Sequence, residues 1–244
     1  MVDLAAALGS FALVGVYHLF LSRWLKRDPL YTVHALNKLA REAWVDAIMS
    51  NEKPDVLAVQ TLRNSVMASS FMASTAILLM VGALSSVGFA EHQGSALHAL
   101  NISGDTAPQT LAWKLLCLLA DFFVAFFCFS MAVRFYNHVG YLIGVPARLT
   151  QNTISPALVT AYLNRAGLFY LLGMRSFFYS VPLVFWMFGP VFMVVATIVL
   201  IAALFPLDRA PKAAIRAHGE ISREPLTRLS EVAEEIVTNR SSAK

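Results

Sequence analysis

The chain has 244 residues, 57% of them hydrophobic and 14% charged, with a mean hydropathy of +0.61. Soluble domains run nearer roughly 45–50% apolar and about 25% charged, so this composition excludes an ordinary soluble domain and indicates a membrane protein. The net charge of +4 does not signal nucleic acid, because the basic residues flank apolar runs instead of forming a basic domain; topology and anionic membrane lipid account for them.

A membrane-spanning helix needs about 20 apolar residues, since the hydrocarbon core is roughly 30 Å thick. Four stretches qualify: residues 4–25, 66–90, 111–133 and 177–205. The first lacks a basic leader, and Arg23, Lys26 and Arg27 follow it, so it reads as a retained span and not a cleaved signal. Next comes "DPLYTVHALNKLAREAWVDAIMS", with Asp28 as N-cap and Pro29 at the first helical position. Val33, Leu36, Ala40, Trp44 and Ala47 recur at helical spacing, which predicts an amphipathic helix on the cytoplasmic surface. Residues 51–55 break the pattern, and Pro54 suits the first turn of a helix that runs straight into the second span. In that span Ser65, Ser69 and Ala73, and again Ser70 and Ser74, Gly82 and Ser86, repeat every four positions, a spacing that lets helices approach closely in lipid.

The third span carries Lys114, Cys117, Asp121, Ala125, Cys128 and Ala132 on one face. Phe122, Phe123, Phe126, Phe127 and Phe129 fill the rest, so the small and polar face is expected inward and the phenylalanines outward. Both cysteines lie inside this span and say nothing about redox compartment. The fourth span holds Pro182 and Gly189-Pro190, and a kink is expected there. After residue 206 the chain becomes polar, with Leu226, Leu229, Ala233 and Ile236 spaced for a short amphipathic helix. The expected organisation is therefore an all-α integral membrane protein, with a membrane domain over 1–206 containing four transmembrane helices and a cytoplasmic amphipathic helix, and a tail over 207–244.

Charge sets the orientation. Segment 23–63 holds seven Lys/Arg and segment 91–110 holds none, so the first connection belongs in the cytoplasm and the second outside. Four spans then leave both termini outside, against the basic residues of the tail, Arg209 and Lys212 among them. A fifth, broken segment at 157–174 would remove the conflict, but Asn164 and Arg165 sit in its middle, and whether it is re-entrant or interfacial stays open. A multi-pass protein of a bacterial inner membrane is the expected location.

At about 1.5 Å of rise per residue, Gln60, Arg63 and Asn64 lie at the cytoplasmic edge of the second span and Arg134, Asn137 and His138 at the same edge of the third. With Arg41 from the amphipathic helix they form a candidate polar cluster for an anionic group, the bland alternative being a basic girdle that snorkels to lipid phosphates. Asp121 lies near the midplane, where a carboxylate costs at least about 2.5 to 3.5 kcal/mol and faces a partner or water; it reads equally as a protonated acid hydrogen-bonded to a neighbouring helix or as part of an ion or proton path, with His18 its candidate partner by depth. No H-x-x-x-H, C-x-x-C or E-x-x-H spacing supports a metal, and no nucleophile elbow, phosphate loop or dinucleotide fingerprint supports a cofactor or an enzyme.

In "ALNKLAREAW", "VQTLRNSVMASSFMASTA" and "RFYNHVGYLIG" the chain resembles an uncharacterised family of bacterial and plant membrane proteins, domain of unknown function family 599, over roughly residues 5–220. The resemblance implies a four-span membrane protein and no agreed activity, substrate or cofactor. It draws attention to Asn37, Arg41, Trp44, Gln60, Arg63, Asn64, Arg134, Asn137 and His138. Two function classes follow: an oligomeric channel or transporter for a small ion or anionic solute, or a non-transporting accessory or scaffold subunit. Membrane lipids and a second copy or another membrane complex are the expected partners.

Overall fold

The computed structural model describes residues 2–27, 31–50, 56–92, 108–145 and 153–211. These residues form six helices: α1 (Val2–Arg27), α2 (Val33–Met49), α3 (Val56–His92), α4 (Pro108–Leu142), α5 (Pro156–Trp186) and α6 (Pro190–Asp208). All but α2 are long and apolar enough to cross a membrane, so this is a multi-pass membrane protein. The helices pack in the spatial order α3, α4, α5, α6, α1, with α2 laid across α5.

The expected break after the amphipathic helix does not interrupt the next one within the described residues. Helix α3 runs unbroken for 37 residues, about 55 Å, well beyond the bilayer core. Ser65, Ser69, Ser74 and Ser85 bond within the helix: Ser69 Oγ donates to the Ser65 carbonyl at 2.8 Å and Ser74 Oγ to the Ser70 carbonyl at 3.1 Å. Ala73 and Ala76 then pack on Ala125 and Phe129 of α4. The second small-residue row, Ser70, Ser74 and Gly82, is exposed.

Three expectations are corrected. The single kinked helix expected over 177–205 is two antiparallel helices. Gly189, at φ 142°, supplies a reversal that residues with a Cβ rarely adopt, and Pro190 opens α6 at its first turn. The two helices run back along each other far enough for Arg175 to pair with Asp208 at 2.9 Å. The segment 157–174, set aside for its polar residues, lies in the regular helix α5, because those residues find partners: Asn164 accepts from Arg41 and the Arg165 guanidinium lies over the Phe135 ring. Helix α2 begins at Val33 with Thr32 as cap, whose Oγ1 accepts from the Ala35 N–H at 3.3 Å; Asp28 and Pro29 lie outside the described residues, as do Pro54 and the expected tail helix.

The inward face of α4 is as expected at Ala125, Cys128 and Ala132, all buried. The phenylalanines divide. Phe123 is 59% exposed, whereas Phe122 and Phe129 are core residues at 4% and 0%. Phe129 fits because Gly173 of α5 faces it: a Cβ there would stand 2.9 Å from the ring.

Apolar packing falls into three tiers along the bundle. One end holds Ala7, Phe122, Leu183, Trp186 and Met193; the middle holds Ala76, Ala125 and Phe129; the other end holds Val45, Leu62, Val139, Val159 and Leu163. At the first end the buried Lys114 Nζ pairs with Asp3 at 2.8 Å, and Trp186 Nε1 donates to the same carboxylate at 3.0 Å. At the opposite end the start of α2 is tied to the end of α6, where the Ala210 N–H donates to the Tyr31 carbonyl at 2.9 Å and Arg209 lies over the Tyr31 and Phe205 rings.

Candidate functional site

Polar side chains from four helices converge between the middle tier and the α2 end. Arg175 of α5 is the hub. Its Nη2 donates to Asp208 Oδ1 at 2.9 Å, and Tyr17 Oη donates to the other carboxylate oxygen at 2.6 Å. Arg175 Nη1 lies 3.1 Å from His18 Nδ1. An arginine can only donate, so Nδ1 accepts and the Nε2 proton faces Tyr179, with whose hydroxyl it is hydrogen-bonded. One acid and one base thus neutralise each other in the wall formed by α1, α5 and α6.

Arg41 reaches the same region from α2. Its Nε donates to Asn164 Oδ1 at 2.8 Å, while Nη2 is buried with no hydrogen-bond partner among the described residues. The guanidinium lies flat on Gly167, where a Cβ would meet Nη1 at 2.9 Å. Burial, the largest influence, pushes the Arg41 pKa down from its ordinary value, with Tyr136 and Glu42 acting weakly the other way. Such a group keeps its proton but gains from an anion.

Between these groups lies a cavity of about 520 Å³, within the roughly 300 to 1,000 Å³ usual for small-molecule sites. Its polar wall is His18, His34, Asn37, Arg41, Arg175 and Asp208; leucines of α1, α5 and α6 supply the apolar wall. Two arginines face one carboxylate, so the cavity carries an excess of one positive charge with both histidines neutral. His34 is held below its ordinary value of 6.5 by burial first and then by Arg41, Arg175 and Lys38.

The residues singled out in the sequence are brought together only in part. Gln60, Arg63 and Asn64 are exposed on α3, and Arg134, Asn137 and His138 are exposed on α4; among the described residues no hydrogen bond or ion pair joins the two sets. His138 lies beside the Tyr162 ring. Arg41 turns away from them to α5. Asp121 is met not by His18 but by Ser176, whose hydroxyl lies 2.7 Å from Oδ1. Among the described residues no group of three or more His, Cys, Asp or Glu side chains is arranged to hold a metal.

Sequence reasoning missed Arg175, Asp208 and His34 as site residues. The signal was present for Arg175, a lone cation in the apolar run 166–188, since an ionisable residue inside a spanning segment marks a functional site by default. Starting the fourth span at residue 177 hid it. No match was found among curated proteins or among solved structures. A family model described as "Protein of unknown function, DUF599" matches residues 5–213. That covers most of the chain, which therefore belongs to the DUF599 family, whose function is unknown.

Proposed function

We propose that this protein is a transporter-like membrane protein of a bacterial inner membrane that takes the anionic group of a small solute into the cavity between Arg41 and Arg175. The observation that carries the reading is the buried Nη2 of Arg41, without a hydrogen-bond partner among the described residues, in a cavity with surplus positive charge. An oxyanion with several acceptor oxygens, a phosphate or a carboxylate, would satisfy it through charge-assisted hydrogen bonds.

Five crossings support the orientation. With the Lys/Arg-rich segment 23–63 inside, an odd number of spans puts the tail after Asp208, which carries Arg209, Lys212 and Arg216, on the same side. The charge conflict met with four spans then disappears. The Arg41 cavity faces the cytoplasm and α2 lies on that surface. The exposed Ser70, Ser74 and Gly82 face of α3 supports assembly with a second copy.

A second reading, an accessory subunit that holds a lipid, is favoured by the leucine wall beside the arginines, which suits an acyl chain under a headgroup phosphate. Purified protein in liposomes separates the two. Uptake of organic anions that is lost in Arg41→Ala, with insertion and assembly unchanged, supports transport. Co-purifying anionic lipid lost in the same variant, without flux, supports the accessory role. Neither effect in the variant would remove both.

A further inference from the structure

A second cavity, of about 170 Å³, lies on the other side of the Tyr179–His18 hydrogen bond, lined by residues of α1, α4, α5 and α6. Two of the described side-chain oxygens that are buried without a hydrogen-bond partner, Asp121 Oδ2 and Ser10 Oγ, both line it. Ser10 is 2% exposed, and unlike the serines of α3 its hydroxyl makes no back-bond to its own helix. Tyr179 and Thr197 bring further hydroxyls to the wall. Pro182, also in the wall, has no N–H for the carbonyl one turn before it, at Phe178.

The charges around this cavity do not balance. Asp3 is paired with Lys114 and Asp208 with Arg175, but no cationic side chain meets Asp121 among the described residues; its one hydrogen bond is with the neutral Ser176. A carboxylate at this depth calls for one positive charge. Cys117 and Met193 also line the cavity, but its one formally charged group is a carboxylate and the hydroxyls beside it are hard oxygen donors, which suits a hard monovalent cation, whereas a divalent ion would leave a charge uncompensated. A water occupies about 30 Å³ of liquid, so the volume holds roughly five water-sized bodies, a small cation with part of its hydration shell. A proton alone would need no such room.

We propose that Asp121, Ser10 and the hydroxyls around them form an intramembrane binding site for a small monovalent cation of the sodium class. The site is separate from the Arg41 cavity and does not depend on what that cavity binds.

The test uses the full chain purified in mild detergent and equilibrated in choline chloride, then titrated with sodium, lithium or potassium chloride at constant ionic strength. Thermal unfolding and retention of radioactive sodium are both read. The expected result is a saturable rise in the unfolding midpoint with sodium, matched by sodium retention and weaker with potassium. Ser10→Ala should raise the half-saturating sodium concentration by roughly 2- to 10-fold, as expected for one lost neutral ligand contact. Asp121→Asn should abolish the response; if it does not fold, the Ser10→Ala shift alone decides. Arg41→Ala should leave the sodium response intact, so failure of the anion reading and failure of this one are distinguishable. The proposal is overturned if the wild-type protein shows no saturable sodium effect, if Ser10→Ala titrates like wild type, or if the midpoint follows pH between 6 and 9 but never sodium, which would make Asp121 a proton site.

Discussion

Gly167 is where one missing methyl group decides a site. Its Cα supports the Arg41 guanidinium, and an alanine Cβ would stand 2.9 Å from Nη1 and 3.0 Å from Cζ. The obstructing atoms are the end of a flexible side chain, so Gly167→Ala should push Arg41 off α5 and break its hydrogen bond to Asn164 without unfolding the bundle. Retention of inorganic phosphate or anionic lipid should fall by about 10-fold or more, the value of a charge-assisted hydrogen bond, while the melting temperature hardly moves. Unchanged anion retention would mean that Arg41 does not hold the ligand. Lys114 gives the opposite pattern. At 2% exposure, it is paired with Asp3 and set against the Trp186 ring. Lys114→Ala would take a cationic partner from the buried Asp3 carboxylate, at up to about 3 to 5 kcal/mol, read as thermal destabilisation in detergent. A stability within experimental error of wild type would show that Asp3 is hydrated in the native protein.

At the scale of elements, α2 is the piece whose docking depends on conditions. It is short, lies outside the membrane-crossing set, and rests on α5 through Val45 and Arg41. His34 in its first turn is neutral at pH 7 and is kept so by burial and three cations. Below pH 6.5 the undocked helix takes up a proton that the docked one refuses, so docking weakens as pH falls from 6.5 through the lower folded value and then levels off. Hydrogen exchange of α2 amides should therefore rise between pH 7 and pH 5.5 relative to α4, after correction for the intrinsic rate, and His34→Gln should remove the effect. Equal protection at both pH values in the wild-type protein would argue against it. Helix α5 shows how an element survives polar residues in mid-sequence. Asn164, Arg165 and Arg175 each have a partner on a neighbouring helix, so the backbone need not break for them.

For the whole molecule, the decisive quantity is the number of crossings. Five helices are long and apolar enough to cross, with a reversal at Gly189, and the proposed five crossings would set the two ends of the chain on opposite sides. Single cysteines introduced at Ala6 and at Ala213, on a background with Cys117 and Cys128 replaced, should differ in accessibility to an impermeant thiol reagent in right-side-out vesicles: labelled near the start, protected near the end. Labelling of both would restore the four-crossing arrangement that the family resemblance implies. The ties at the two ends of the bundle fit this arrangement, since the Asp3, Lys114 and Trp186 cluster and the Tyr31 to Arg209 cluster lie at opposite ends of α1.

Composition and hydrophobic run length were enough to derive a multi-pass all-helical membrane protein, an amphipathic helix after the first span, a continuous helix through Gln60 and Ser69, and the inward face of α4 at Ala125 and Cys128. These depend on local periodicity and on the length of chain that can cross hydrocarbon, both one-dimensional properties. The partners did not follow from the sequence. Depth counting placed Arg63 and Arg134 at one level, but only the packing of α3 on α4 reveals that both point outward, because depth says nothing about rotation about the helix axis. The splitting of 177–205 depended on one backbone angle at Gly189, and the site depended on it in turn, since only an α6 that doubles back brings Asp208 to Arg175. Ser10 carries no sequence signal at all: a serine in an apolar helix ordinarily bonds its own backbone, and only the tertiary fold sets its hydroxyl in the same cavity as Asp121.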